Sequence, residues 1–196
     1  MYRLLILLAV VVVSGCAGLF PPEIPYDPVV GVADPARMFA DDSVATNLQA
    51  KHFAAMAEFA KKLPYRTFWG SIGFAAFKDK MYFNIGLTGG TYNTIRTTCT
   101  TRLSNEFFEK YQAIIVMIMR EPFSRVAPGI AVTLSSLSYN FVTGYATSCG
   151  RDEIVIRSDS AVVKAFVGGD ITAQKLLNES VVFVNRQRVD FKLESM

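Results

Sequence analysis

RTFWGSIGFAAFKDKMYFNIGL, residues 66–87, is the stretch that decides the fold. Two runs rich in aromatic and β-branched side chains, 66–77 and 81–87, flank the short polar segment Lys78-Asp79-Lys80. Such runs about a short polar turn predict a β-hairpin, and so tight a turn permits only antiparallel pairing.

Working outward from the hairpin, residues 42–63 predict a helix. Val44, Leu48, Met56 and Phe59 recur at helical spacing, Asp41 or Asp42 is placed to cap its start, and Pro64 stops it. Residues 87–101 (LTGGTYNTIRTTCTT) carry threonines and glycines without a period, and are expected to form a long loop or an irregular edge strand. Residues 104–119 fit a second helix, but the run AIIVMIM is apolar all round and fits a buried strand equally. Gly129–Val142 reads as a long strand paired with 153–157. Ser158 or Asp159 should cap a short helix to Phe166, Asp170 another to Leu177, and Val181–Val184 with 187–193 a closing hairpin about Asn185-Arg186. The class predicted is α+β: a mainly antiparallel sheet built from hairpins, with helices packed on one face.

The first residues belong to another kind of segment. Arg3 precedes an unbroken apolar run, 4–13, which ends at Ser14 and Gly15. That is the charge, core and small-residue exit of a secretory signal peptide, and the run falls short of the roughly 20 apolar residues a membrane span needs. Val13-Ser14-Gly15-Cys16, at the end of that run, resembles the lipobox of bacterial lipoproteins. The resemblance implies removal of 1–15, attachment of fatty acyl groups such as palmitate through the Cys16 thiol, and a membrane as first partner. Ala17 in place of aspartate implies an outer-membrane address facing the periplasm in a Gram-negative organism. An ordinary signal peptide cut after Ala17, or an uncleaved anchor, are the alternatives, and both leave the protein outside the cytoplasm. The resemblance covers 16 residues and implies an address, not an activity.

From Cys16 onward the expected organisation is a lipidated, proline-rich segment, 16–40, and one globular unit, 41–196. Pro21, Pro22, Pro25, Pro28 and Pro35 make the first either an extended tether or a strap packed through Val29, Val30, Val32, Met38 and Phe39. Without Arg3 the protein has 19 basic and 17 acidic residues, too even a balance to argue for a nucleic-acid partner. Cys99 and Cys149 remain as an even pair in an oxidising compartment and are expected to form a disulfide, with two buried thiols or a metal pair as alternatives.

Catalytic constellations are hard to find. His52, the only histidine, lies on the apolar stripe of the first helix and reads as a core or boundary residue. Asp41/Asp42 are accounted for by capping, Asp152/Glu153 by a turn beside a strand, and Glu106/Glu109 by a solvated helix face. Arg96, Arg102, Arg120, Arg125 and Arg151 read as surface residues. No cofactor fingerprint and no metal-ligand spacing is present in the sequence. Phe68, Trp69, Phe74, Phe77, Tyr82 and Phe83 crowd the first hairpin, and any that face outward would mark a surface for a partner. The function expected is a non-enzymatic, membrane-anchored envelope lipoprotein that binds or braces another envelope component, with an envelope protein as partner. A lipoprotein binding a lipid or glycan is the alternative, and an envelope hydrolase a more distant one.

Overall fold

The computed structural model describes residues 27–34, 43–142 and 145–194; for Val30, 140–142 and 145–149 it describes the backbone alone. The expected signal peptide, the lipobox cysteine Cys16, Met38, Phe39 and the Asp41/Asp42 cap lie outside the described residues.

Six strands form one sheet in the order β1 to β6: β1 (Gly73–Phe77), β2 (Lys80–Asn93), β3 (Gly129–Val142), β4 (Tyr145–Asp159), β5 (Val181–Val184) and β6 (Gln187–Arg188). Every pairing is antiparallel except that of β2 with β3, which is parallel. A parallel pair needs a long crossover. Here it is helical: α2 (Cys99–Glu106), a π-helical turn (Phe107–Tyr111) and α3 (Gln112–Arg120) follow one another without leaving helical backbone. The AIIVMIM run is therefore helix, with Ile114, Ile115 and Ile118 buried and the other side chains of α3 partly or fully exposed. Before the sheet comes α1 (Ser43–Lys62), and after β4 come α4 (Ser160–Val167) and α5 (Ala173–Asn178).

The helices cover one face, as expected for the α+β class. Phe74, Phe83 and Ile130 form one cross-sheet row of that face, Ile85, Val132, Ile156 and Val182 the next, and Leu87, Leu134 and Ile154 a third. Against these rows pack Met56 and Phe59 of α1, Leu103 of α2, Phe107 and Tyr111 of the π turn, Val163 of α4 and Leu176 of α5. Burial of each large apolar residue contributes about 1.5–3 kcal/mol, which makes this layer the main source of stability.

Several expectations are corrected. The buried stripe of α1 is Ala45, Gln49, Met56, Phe59 and Ala60, while Val44 is 59% exposed. The 66–77 run is broken: Thr67 bridges Leu87, the Ser71 hydroxyl donates to the carbonyls of Phe68 and Gly86, and β1 proper starts only at Gly73. The threonine-rich stretch is strand as far as Asn93: it pairs with β3 on one side, carries an extra residue as a bulge between Thr88 and Thr91, and beyond the bulge is the irregular edge, one of the two expectations. β4 is far longer than 153–157. Thr172, not Asp170, caps α5. The final strand stops at Arg188, and the backbone then lies over the helices: Gln174 holds the Phe191 carbonyl and the Leu193 amide, and Ser104 Oγ accepts from the Glu194 amide. The alternation read in 188–194 survives, with Phe191 buried and Asp190, Lys192 and Glu194 exposed, although no strand carries it.

Of the proline-rich segment, 27–34 is a packed strap. Asp27 caps a 3₁₀ turn at Pro28–Gly31, Val32 is buried, and Gly31 and Ala33 exchange backbone hydrogen bonds with Ile72. Gln49, wholly buried on α1, ties strap to sheet: its amide nitrogen donates to the Ala33 carbonyl at 2.6 Å, and its oxygen accepts from Phe74 N at 3.1 Å. The strap thereby covers the start of β1, while Ala75 and Ala76 stay exposed.

Candidate functional site

The sheet has a second face, and among the described residues no helix lies on it. Pleat alternation sends Phe77, Tyr82, Ala131, Thr133, Val155, Arg157, Val181 and Phe183 to that side, opposite the buried rows. Gly129 makes room for the first layer: a Cβ there would meet the Tyr82 ring at 2.4 Å, so the tyrosine lies directly on β3. Phe77 meets Tyr82 edge to face at 6.3 Å between centroids and Phe183 likewise at 6.1 Å. On a flat sheet, four inter-strand steps of about 4.8 Å would put β1 about 19 Å from β5. The contact between Phe77 and Phe183 therefore requires the β1–β2 hairpin to curl over this face and make it concave.

Arg157 lies in the hollow. Its guanidinium carbon is 4.1 Å from the Phe77 centroid and 5.1 Å from that of Phe183, close enough for cation–π attraction to both. Partial burial against the rings lowers its pKa from the ordinary guanidinium value, with Tyr82 acting weakly the other way. At the rim Lys80 pairs with Asp159, Lys78 stands 5.9 Å over Phe77, and Arg188 is exposed directly opposite Phe183. Further along the face Arg151 lies 5.9 Å over the Phe68 ring. The hairpin's aromatic residues thus divide. Phe74 and Phe83 are core, Tyr82 is buried against β3 on the second face, Phe68 and Phe77 are partly exposed there, and Trp69 stands 73% exposed on the broken strand.

The titratable groups of the helical side are arranged for structure. Glu106, expected on a solvated face, is wholly buried. Its Oε1 accepts from Gly90 N and from the Tyr92 hydroxyl at 3.0 Å, and its Oε2 from Lys110 Nζ at 2.7 Å. Lys110 also donates to the Thr88 carbonyl at 3.3 Å. The carboxylate thus sits where the bulge of β2 meets the π turn. Burial and the Glu106 charge push the Tyr92 phenol well above its ordinary value. Glu109, by contrast, is exposed.

Arg102 is likewise buried rather than on the surface: Nε donates to Asp152 Oδ2 at 2.7 Å, and the guanidinium also reaches the Thr97 carbonyl. Asp152 belongs to the middle of β4, not to a turn, and Glu153 is half-buried on the opposite side of the strand. Arg96, Arg120, Arg125 and Arg151 are exposed, as expected. Cys99 Sγ donates to Asp152 Oδ1 at 3.3 Å, and the side chain of Cys149, its expected disulfide partner, lies outside the described residues. Burial, then the hydrogen bond and charge of Asp152, push the Cys99 thiol up to about 11. Each buried carboxylate is held by its own cation, an arrangement that fixes α2 on the sheet and leaves neither poised for proton transfer.

His52 rests half-buried with its ring 6.0 Å from Phe74, in the boundary position expected. An open groove of about 340 Å³ runs between α2 and the C-terminal segment, lined by Cys99, Leu103, Val184, Val189 and Phe191 among others. Among the described residues, no three His, Cys, Asp or Glu side chains gather as a metal site, and no helix is long and apolar enough to cross a membrane.

Comparison with protein-family models, with curated proteins and with solved structures finds no match for this protein. The concave face is the candidate site on its geometry alone.

Proposed function

We propose that this protein is a lipid-anchored envelope protein, held by Cys16, that binds or braces another envelope component through the helix-free face of its sheet. The reading rests on one observation: the two faces of one sheet are treated differently. Four helical segments cover the first, whereas the second carries Phe77, Tyr82, Val155, Arg157, Val181 and Phe183 in a concave surface. Antiparallel sheets often show water one face, but that face is then polar. Around Arg157 this one is aromatic and aliphatic, with Lys80, Asp159 and Arg188 at its rim and Arg151 further along, a composition that suits an interface. Glu106 and Asp152 are accounted for by the ion pairs that fix α2 on the sheet, and the groove beside Cys99 is open rather than enclosed.

Anchor and face are tested together in the native host. Cys16→Ser should release the protein from the membrane fraction and remove several hundred daltons of acyl mass from the intact protein. Val155→Arg should leave anchoring untouched while abolishing co-purification of the partner after mild solubilisation. A Cys16→Ser protein that stays in the membrane, or a Val155→Arg protein that retains its partner, would each refute its half of the reading.

A further inference from the structure

We infer that Arg157 is the anchor point for a carboxylate, and that the partner docking on the concave face presents an acidic side chain or a free C-terminus to it. The inference deepens the docking reading and rests on it.

Arg157 is partly buried without being given an anion. Phe77 and Phe183, with rings nearly perpendicular to each other, lie against the guanidinium from two directions roughly at right angles, and aromatic carbon replaces part of its water. Its N–H edges find no hydrogen-bond acceptor among the described residues, in contrast to Arg102, which has both Asp152 and Thr97. Asp159, the nearest acidic residue on the same side of β4, is already engaged by Lys80. A guanidinium in this state is incompletely solvated, and the geometry left to it is selective. The fork of N–H donors lies in the guanidinium plane, where a carboxylate can accept two parallel hydrogen bonds.

The surroundings favour a carboxylate on a protein over a phosphate on a membrane or glycan. The ground beside Arg157 is Val181 and Phe183, both partly exposed, on which an apolar side chain flanking an acidic one would rest. A doubly charged phosphate would call for several convergent cations. Here Lys80 is neutralised by Asp159, Asp79 stands beside Lys78 in the hairpin turn, and Arg188 sits on the edge strand β6. Lys78 and Arg188 stand at the rim, and Arg157 is the cation that lies against both rings. Packing against the two rings also restrains the side chain, so less rotamer freedom remains to be lost when the anion arrives.

The test uses the full-length protein in detergent and two capped peptides, acetyl-Leu-Glu-Leu-amide and its Gln analogue, with inorganic phosphate as a third probe. The Arg157 Nε–Hε resonance is followed by NMR. The Glu peptide should shift it saturably and bind at least tenfold more tightly than the Gln peptide. Arg157→Met, which keeps the stem against the rings, should abolish that preference, and Arg157→Lys, which keeps charge without the fork, should lose most of it. Equal binding of the two peptides, wild-type preference in Arg157→Met, or tighter binding of phosphate than of the Glu peptide would overturn the inference. If the preference holds but Val155→Arg retains its partner, the docking reading fails and the carboxylate site stands. If Val155→Arg loses its partner but the two peptides bind alike, the docking reading stands and this inference fails.

Discussion

Single residues decide how closely the layers approach. Gly89 lies in the β2 bulge, where an added Cβ would come within 2.7 Å of Glu106 Cδ and of the Ser135 carbonyl. Neither neighbour is free to move, since Glu106 is tied to Gly90, Tyr92 and Lys110 and the carbonyl is backbone. Gly89→Ala should therefore cost about 3 kcal/mol in chemical denaturation, the upper part of the range for overpacking. A loss within about 0.5 kcal/mol, typical of a surface change, would mean the bulge is not packed on the π turn. Cys99 gives a prediction in pH. Its thiol is raised from 9.0 to about 11, so the native state holds this proton more strongly than the unfolded state. The stability this contributes is complete below about 9 and is lost as pH rises towards about 11. In a Cys16→Ser, Cys149→Ser background, alkylation of Cys99 by iodoacetamide should remain slow through pH 9, and Asp152→Asn should bring its onset to lower pH by removing a neighbouring negative charge. Rapid labelling at pH 8 in the parent would contradict the buried thiol–carboxylate contact.

Among the elements, the helices and the first hairpin were legible in the sequence because their signals are local: helical spacing through Met56 and Phe59, Pro64 as a stop, a polar turn between apolar runs. What escaped depends on partners far apart in sequence. The parallel pairing of β2 with β3 is set by a crossover of more than thirty residues, and nothing within 87–93 announces it. Arg102 and Asp152 stand 50 residues apart, and only the folded sheet brings them together. Glu106 and Lys110 did carry a signal, the i,i+4 spacing on a helix, but burial of the pair follows from the glycine-lined bulge opposite. The strap is a comparable case, since Gln49 is one polar residue in a helix by sequence and in the fold links Ala33 to Phe74. Gln49→Ala leaves both backbone groups unpaired in the interior and should cost about 2–4 kcal/mol. Hydrogen exchange at Ala33 and Phe74 should rise with it, whereas exchange in β4 should not. Equal loss across the sheet would show that the strap is no separate unit of stability.

For the molecule as a whole, one sheet separates two tasks. The covered face, with its apolar rows and two locked ion pairs, accounts for stability. The concave face, with Arg157 against Phe77 and Phe183, is the surface we propose for recognition. The outward aromatic residues of the hairpin were the one functional hint in the sequence of the domain. Their convergence on an arginine from β4 and a phenylalanine from β5 arises only from the curl of the sheet. The measurement that bears most directly on this account is site-specific photocrosslinking in the native host, with the photoreactive residue at Val155 on the concave face or at Ala113 on the exposed side of α3. The account predicts one discrete adduct from Val155 and none from Ala113; adducts from Ala113 alone, or none from either position, would contradict it.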